Sequence, residues 1–171
     1  MKPQDSNETI IPVPLDATDL RLLDLLQQDA SLSNVDLAAR AHTSPATSQR
    51  RVRRLTEAGI IERRVAIVDA GRLGHVLTAI AEVTLDRQGA EHQRAFEQRV
   101  IADEAVQQCY RVSPGPDFVL ILQVAHMEAW AAVAERLFTQ DGNVRNVKTY
   151  FSVRRAKFDP RVRAAELARP G

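Results

Sequence analysis

Residues 43–61, TSPATSQRRVRRLTEAGII, hold the side chains best suited to meet a polyanion. Arg50, Arg51, Arg53 and Arg54 follow Gln49 in one short run, with small polar residues ahead of them. Arginine pairs bidentately with guanine and glutamine with adenine, while further arginines neutralise phosphates without reading sequence. On a helix turning about 100° per residue, Ser48, Val52 and Leu55 cluster inward. Arg50, Arg53 and Arg54 point outward, and Ala46 and Thr47 lie near the N-terminal end of that outer face. Gln49 and Arg51 sit on the flanks. A basic outer face whose first turn is small suits a DNA major groove, which a recognition helix enters with its N-terminal side chains toward base edges. Arg51 has two readings, a structural bond to its own domain or a phosphate contact.

A second candidate is SPGPD, residues 113–117, between two apolar runs. Backbone amides at Gly115 and Asp117 could meet a ligand carboxylate, and the Asp117 carboxylate could meet an ammonium. Equally, Pro-Gly-Pro makes a rigid hairpin turn that Asp117 caps. The remaining reactive types are scattered. His42, His75, His92 and His126 form no short-spaced ligand set with Cys109, so no metal site is expected. Asp103-Glu104 reads as a helix-end charge, and Trp130 and Phe138 read as core. No Gly-rich phosphate loop or nucleophile elbow occurs, so no catalytic residue is expected.

The elements that must position these residues are legible from caps and periodicity. In LDATDLRLLDLLQQDA, Asp16 caps a first helix, Asp19 three residues on adds favourable charge at its N-terminus, and the apolar face carries Leu22, Leu23 and Leu26. Ser33 starts a second, with Asp36 three residues on. Ser44 caps the third, Pro45 fills its first position and Gly59 ends it. The tight HTS link between the last two gives a helix-turn-helix pattern. The alternation over 61–68 predicts a strand, part of a winged arrangement, and residues 69–74 a turn or link. Beyond Val76 the order is β (VLTAIAEVTLD), α (EHQRAFEQRVIAD, with Phe96, Val100 and Ile101 inward), β (VQQCYRVS), β (DFVLILQVA), α (MEAWAAVAERLFT) and β (VRNVKTYFSVRRAKF). This split βαβ, ferredoxin-like order puts both helices on one face of a four-stranded sheet and leaves the other face open to a partner. The expected division is a disordered arm over 1–14, a DNA-binding domain over 15–64, a linker over 65–75, a second domain over 76–159 and a tail over 160–171, helical or frayed.

Bulk composition is that of a soluble globular protein: 44% hydrophobic and 26% charged in 171 residues. No apolar run approaches the roughly 20 residues that span a bilayer, and MKPQDSNETIIPVP lacks a signal-peptide core. One cysteine, Cys109, excludes an intrachain disulfide and fits a reducing, cytoplasmic setting. The net charge of +1 hides a strong partition. Residues 15–39 sum to −4, residues 40–64 to +5 and residues 65–171 to +1. Positive charge is thus concentrated around the third helix, where it bears on partners.

These segments together resemble the Lrp/AsnC family of transcription regulators, over nearly all of the chain after the first dozen residues. The resemblance rests on Leu15-Asp16, the leucine-rich first helix, Asn34-x-x-Leu37-Ala38, Ser44-Pro45, Arg50-Arg51-x-x-x-Leu55 and Gly59-Ile60-Ile61, and on VSPGPDFVLILQV in the C-terminal half. It implies a winged helix-turn-helix joined to an ACT-like sensor domain. It also implies double-stranded DNA as partner, homodimers through the sensor sheet that can assemble into octamers, and an amino-acid effector rather than a cofactor. By that similarity the DNA role falls on Ser44, Pro45, Ala46, Thr47, Gln49, Arg50, Arg53 and Arg54. The effector role falls on Ser113, Pro114, Gly115, Pro116, Asp117 and Phe118.

The sequence departs from the family in places. Thr43 and Ser48 stand where aliphatic residues are usual. In the sensor loop Pro114 takes the place of a glycine, and Asp117-Phe118 replaces Asp-Tyr. Haem-precursor decarboxylases share this architecture, so an enzyme is the alternative, as is a sensor or interaction module without DNA binding.

Overall fold

A computed structural model describes residues 14–74 and 76–167. His75, residues 168–171 of the expected tail and, apart from Pro14, the expected N-terminal arm lie outside them. The element order is α1 (Ala17–Gln28), α2 (Asn34–Arg40), α3 (Pro45–Glu57), α4 (Ala70–Leu73), β1 (Leu77–Leu85), α5 (Ala90–Ile101), β2 (Val106–Arg111), β3 (Phe118–Val124), α6 (Met127–Ala134), β4 (Val144–Phe151) and α7 (Ala164–Leu167). A π turn, Glu135–Thr139, continues α6. The chain divides into two units. One comprises residues up to 67 together with those from 159 on, and the other residues 68–158.

In the first unit, caps set the helix boundaries. Asp16, Ser33 and Ser44 each accept a hydrogen bond from the first turn that follows, satisfying amides that have no partner within the helix. Gly59, at φ +71°, takes the left-handed turn after α3. Two small clusters make the core: Leu22, Leu37 and Ala41 between α1 and α2, and Leu23, Leu55 and Ala164. The second shows that the tail belongs to this unit. Gln27 of α1 clasps the backbone of Val162, its Nε2 donating to the carbonyl at 3.0 Å and its Oε1 accepting from the amide at 2.7 Å.

Two expectations need correction here. Residues 62–69 form no strand and have no ladder partner among the described residues. Val65, Ile67 and Val68 are exposed, so alternation alone does not make a strand where nothing pairs with it. The segment read as a turn over 69–74 contains α4, with the Asp69 side chain accepting from the Gly71 amide.

The second unit is an antiparallel sheet in the order β2-β3-β1-β4, the ferredoxin-like arrangement. Alternation is strict in the central strands. Ala79, Ala81, Val83 and Leu85 of β1 and Phe118, Leu120, Leu122 and Val124 of β3 are buried. They share one core with Phe96 and Val100 of α5, Trp130 and Val133 of α6, and Leu137 and Phe138 of the π turn. Ile101, expected inward, is only partly buried against this core. The opposite face carries two rows set by the register, Gln108-Ile121-Ile80-Tyr150 and Tyr110-Val119-Glu82-Lys148. The last strand stops at Phe151, short of the expected run to Phe158.

Candidate nucleic-acid interface

The base of α3 is held at its N-terminal end. The Ser44 hydroxyl accepts from the Thr47 amide at 3.2 Å and donates to Thr47 Oγ1 at 2.9 Å. Asn34 of α2 donates through Nδ2 to the Pro45 carbonyl at 2.9 Å. In the turn between the helices the Thr43 amide donates to the Ala38 carbonyl at 2.9 Å, and Arg21 Nε donates to the Ala41 carbonyl at 3.2 Å. His42 has φ +54°, a conformation rare outside glycine, and this lets the turn close so tightly.

The faces of α3 then sort by exposure. Ser48 and Leu55 are fully buried and Val52 partly so, which agrees with the wheel. Ser44, Pro45, Ala46, Gln49, Arg50 and Arg53 are exposed, and Thr47 is half-buried. Arg53 pairs across one turn with Glu57 at 2.7 Å, both side chains in solvent.

Arg51 and Arg54 behave otherwise. Arg51 Nη1 lies 2.7 Å from Asp16 Oδ2 and 2.9 Å from Asp19 Oδ1, and Arg54 Nη2 lies 2.5 Å from Asp19 Oδ2. The assignment of Arg54 to the outer face is thereby corrected, because its guanidinium turns back to α1. Of the two readings of Arg51, the structure shows the bond to its own domain. Asp19 is 1% exposed and also accepts from the Asp16 amide at 3.1 Å, closing a reciprocal capping box. Burial pushes the Asp19 carboxyl up. The Asp16 amide and the two guanidiniums outweigh this and hold it below its ordinary 3.8. Sequence reasoning credited Asp19 only with a helix-end charge. The signal available was a carboxylate in the capping box of one helix facing arginines spaced three apart on another.

In the second unit, the loop between β2 and β3 closes with the Val112 amide donating to the Asp117 carbonyl at 3.1 Å. Ser113, Pro114 and Gly115 are exposed and Pro116 half-buried. Asp117 is engaged within the chain. Its amide donates to the Val83 carbonyl at 2.9 Å, and its Oδ2 accepts from the Leu85 amide at 2.7 Å and Gln88 Nε2 at 3.3 Å. The expectation that this amide and carboxylate meet a ligand is therefore corrected: Asp117 is a strut between the loop and the end of β1. Phe118 is likewise core, its ring 4.9 Å from that of Phe96.

Asp103, expected to be a helix-end charge, holds Arg136 by two bonds of 2.5 and 2.9 Å. Burial, with the nearby Glu97 charge, pushes the Cys109 thiol up to about 11, so it is protonated and unreactive at neutral pH. Among the described residues no three His, Cys, Asp or Glu side chains gather as metal ligands, and no helix is long and apolar enough to cross a membrane.

A capped helix fixed across two others, with an exposed edge of amide and guanidinium groups, defines a helix-turn-helix DNA-binding unit, here followed by a ferredoxin-like domain. The chain belongs to the Lrp/AsnC family of DNA-binding transcription regulators. Residues 15–62 match the model of a winged helix-turn-helix DNA-binding domain, and residues 78–162 that of the Lrp/AsnC ligand binding domain. An HTH-type transcriptional regulator of Haemophilus influenzae is 36% identical over 145 residues, covering 85% of this chain and 86% of its own. The leucine-responsive regulatory protein of Rhizobium meliloti is 33% identical, covering 86% and 95%. An AsnC family regulator from Agrobacterium tumefaciens superposes with a TM-score of 0.80 at 26% identity, over 86% of this chain and 96% of that one. A Neisseria meningitidis regulator solved as its L-Met complex has the same fold, with a TM-score of 0.82 at 24% identity over 90% and 99%. The relatives are transcription regulators rather than enzymes, which sets the decarboxylase alternative aside.

Proposed function

We propose that α3 reads operator DNA in the major groove and that an amino acid bound by the sensor unit modulates this grip. The observation that carries the first part is the exposed edge of α3. Ser44, Pro45, Ala46, Thr47 and Gln49 present its small, polar N-terminal half to base edges, Arg50 is exposed beside them, and Arg53 shares its guanidinium with the solvated Glu57, a pair weak enough for guanine or phosphate to displace. Replacing Arg50 or Arg53 by alanine is expected to weaken operator binding, each by roughly 1–3 kcal/mol, measured by fluorescence anisotropy on a labelled duplex. Full affinity in both variants would refute the assignment of α3.

The effector part is supported by the match of residues 78–162 to a ligand-binding domain and by the L-Met held by the Neisseria relative. The exposed residues Ser113, Pro114 and Gly115, with half-buried Pro116, offer the contact surface, and Asp117 sets the loop's position. A thermal-shift screen of free amino acids tests this; no stabilising amino acid would count against it. The uncovered sheet face, with Ile121, Ile80 and Tyr150 in register and Tyr110 in the neighbouring row, is the surface on which a second copy would pair.

A further inference from the structure

We propose that Asp19 is a positioning residue that sets how many of the α3 cations DNA meets. The inference rests on the reading of α3 as the DNA-contacting helix. The four arginines form two stripes, each spaced by three residues and so on one side of the helix. Arg50 and Arg53 make one stripe and are exposed; Arg51 and Arg54 make the other and are 21% and 41% exposed. Asp19 holds the second stripe with both oxygens, Oδ1 on Arg51 and Oδ2 on Arg54. Asp16 adds a second carboxylate to Arg51.

The charge of this stripe is therefore matched inside the protein. A guanidinium held by a buried carboxylate releases few counterions from DNA, because binding by the counterion route needs cation meeting phosphate, whereas the solvated Arg53–Glu57 pair is weak enough for phosphate to displace. Arg50 borders the same open hollow of about 290 Å³ as Arg51, Arg54, Asp16 and Asp19. A guanidinium released from Asp19 thus has room to swing beside Arg50. The carboxylate also does something sequence composition hides: it limits sequence-independent affinity while fixing the orientation of the reading edge. Such a limit favours discrimination, since the phosphate term is common to all sequences.

The test is the salt dependence of binding to an operator duplex and to a scrambled one, for the full-length chain. Asp19→Asn is expected to bind scrambled DNA more tightly, narrow the ratio between the two duplexes, and steepen the slope of log K against log salt by about 0.9, for the one phosphate that Arg54 can then meet while Asp16 keeps Arg51. A purely structural Asp19 would lower the melting temperature and weaken both duplexes alike, with no steeper slope; that result would overturn the proposal.

Should Asp19→Asn not fold, the same proposal is tested with Asp19 intact. Arg53→Gln is expected to flatten the slope by about 0.9, and Arg54→Gln to leave it unchanged. Equal flattening by the two would overturn the partition while leaving α3 as the DNA helix. Failure of Arg50→Ala and Arg53→Ala to weaken binding would instead overturn the reading beneath it.

Discussion

The two units are held together by different physics. The sensor sheet rests on one continuous apolar core, in which Phe96, Phe118, Leu120 and Leu122 are almost wholly buried. The DNA-binding unit has two clusters with three buried residues each. Polar fasteners supply what this small core lacks: the Asp19 clamp, the Asn34–Pro45 and Arg21–Ala41 bonds, and the Gln27–Val162 clasp. Hydrophobic packing is non-directional and tolerates small shifts. Hydrogen bonds and ion pairs fix angle and register. A helix that must present a few side chains to a groove gains more from the second kind of restraint, and a sheet that must bury its own bulk gains more from the first.

This contrast can be broken or sharpened by substitution, followed by urea denaturation with each unit's transition resolved. The largest effect is expected from Phe118→Ala, which empties the site stacked on Phe96 and should cost the sensor unit about 3–5 kcal/mol, leaving the other transition in place. A shift of both transitions together would show that the units do not unfold separately. Gln27→Ala removes two bonds at an exposed site and should cost the DNA-binding unit about 1–2 kcal/mol. No change would mean that the Ala164 contact alone holds the tail. The smallest expected change is a gain. Ser48 Oγ is buried without a hydrogen-bond partner, so Ser48→Ala should stabilise the same unit by about 1 kcal/mol. Loss of stability instead would mean that the hydroxyl has a partner in solution.

Acid should loosen the carboxylate pairs of both units, since Arg136 holds the Asp103 carboxyl low in one and the Asp16 and Asp19 clamp is held low in the other. Asp16 is held below its ordinary 3.8, first by the Asp19 amide and then by Arg51, and Asp19 is lowered as well. A depressed folded value stabilises above the unfolded value, and the benefit is lost as pH falls through the folded one. The DNA-binding unit should therefore weaken below about pH 4, and Asp19→Asn should flatten that part of the curve.

What the sequence made legible is what local chemistry decides. Asp16, Ser33 and Ser44 marked the helix starts because a cap acts on amides two or three residues away. The βαββαβ order followed from changes in period. The buried set Phe96, Val100, Trp130 and Phe138 followed from helical spacing. The misread parts depend on distant partners. The alternation over 61–68 gives a period but not a neighbour, and no ladder forms there. The wheel put Arg54 outside because it cannot see Asp19, which lies 35 positions earlier. Asp117 looked like a ligand group because its partners, Leu85 and Gln88, lie about 30 positions upstream.

The clasp of the tail on α1 has a consequence for how the protein is made. Val162 is translated 135 positions after Gln27. Domains generally fold as they emerge, N-terminal first, yet here the DNA-binding unit is completed only after the sheet that follows it has been made. A stop just ahead of Val162 would spare every strand of the sheet and still strip a covering from the unit made before it.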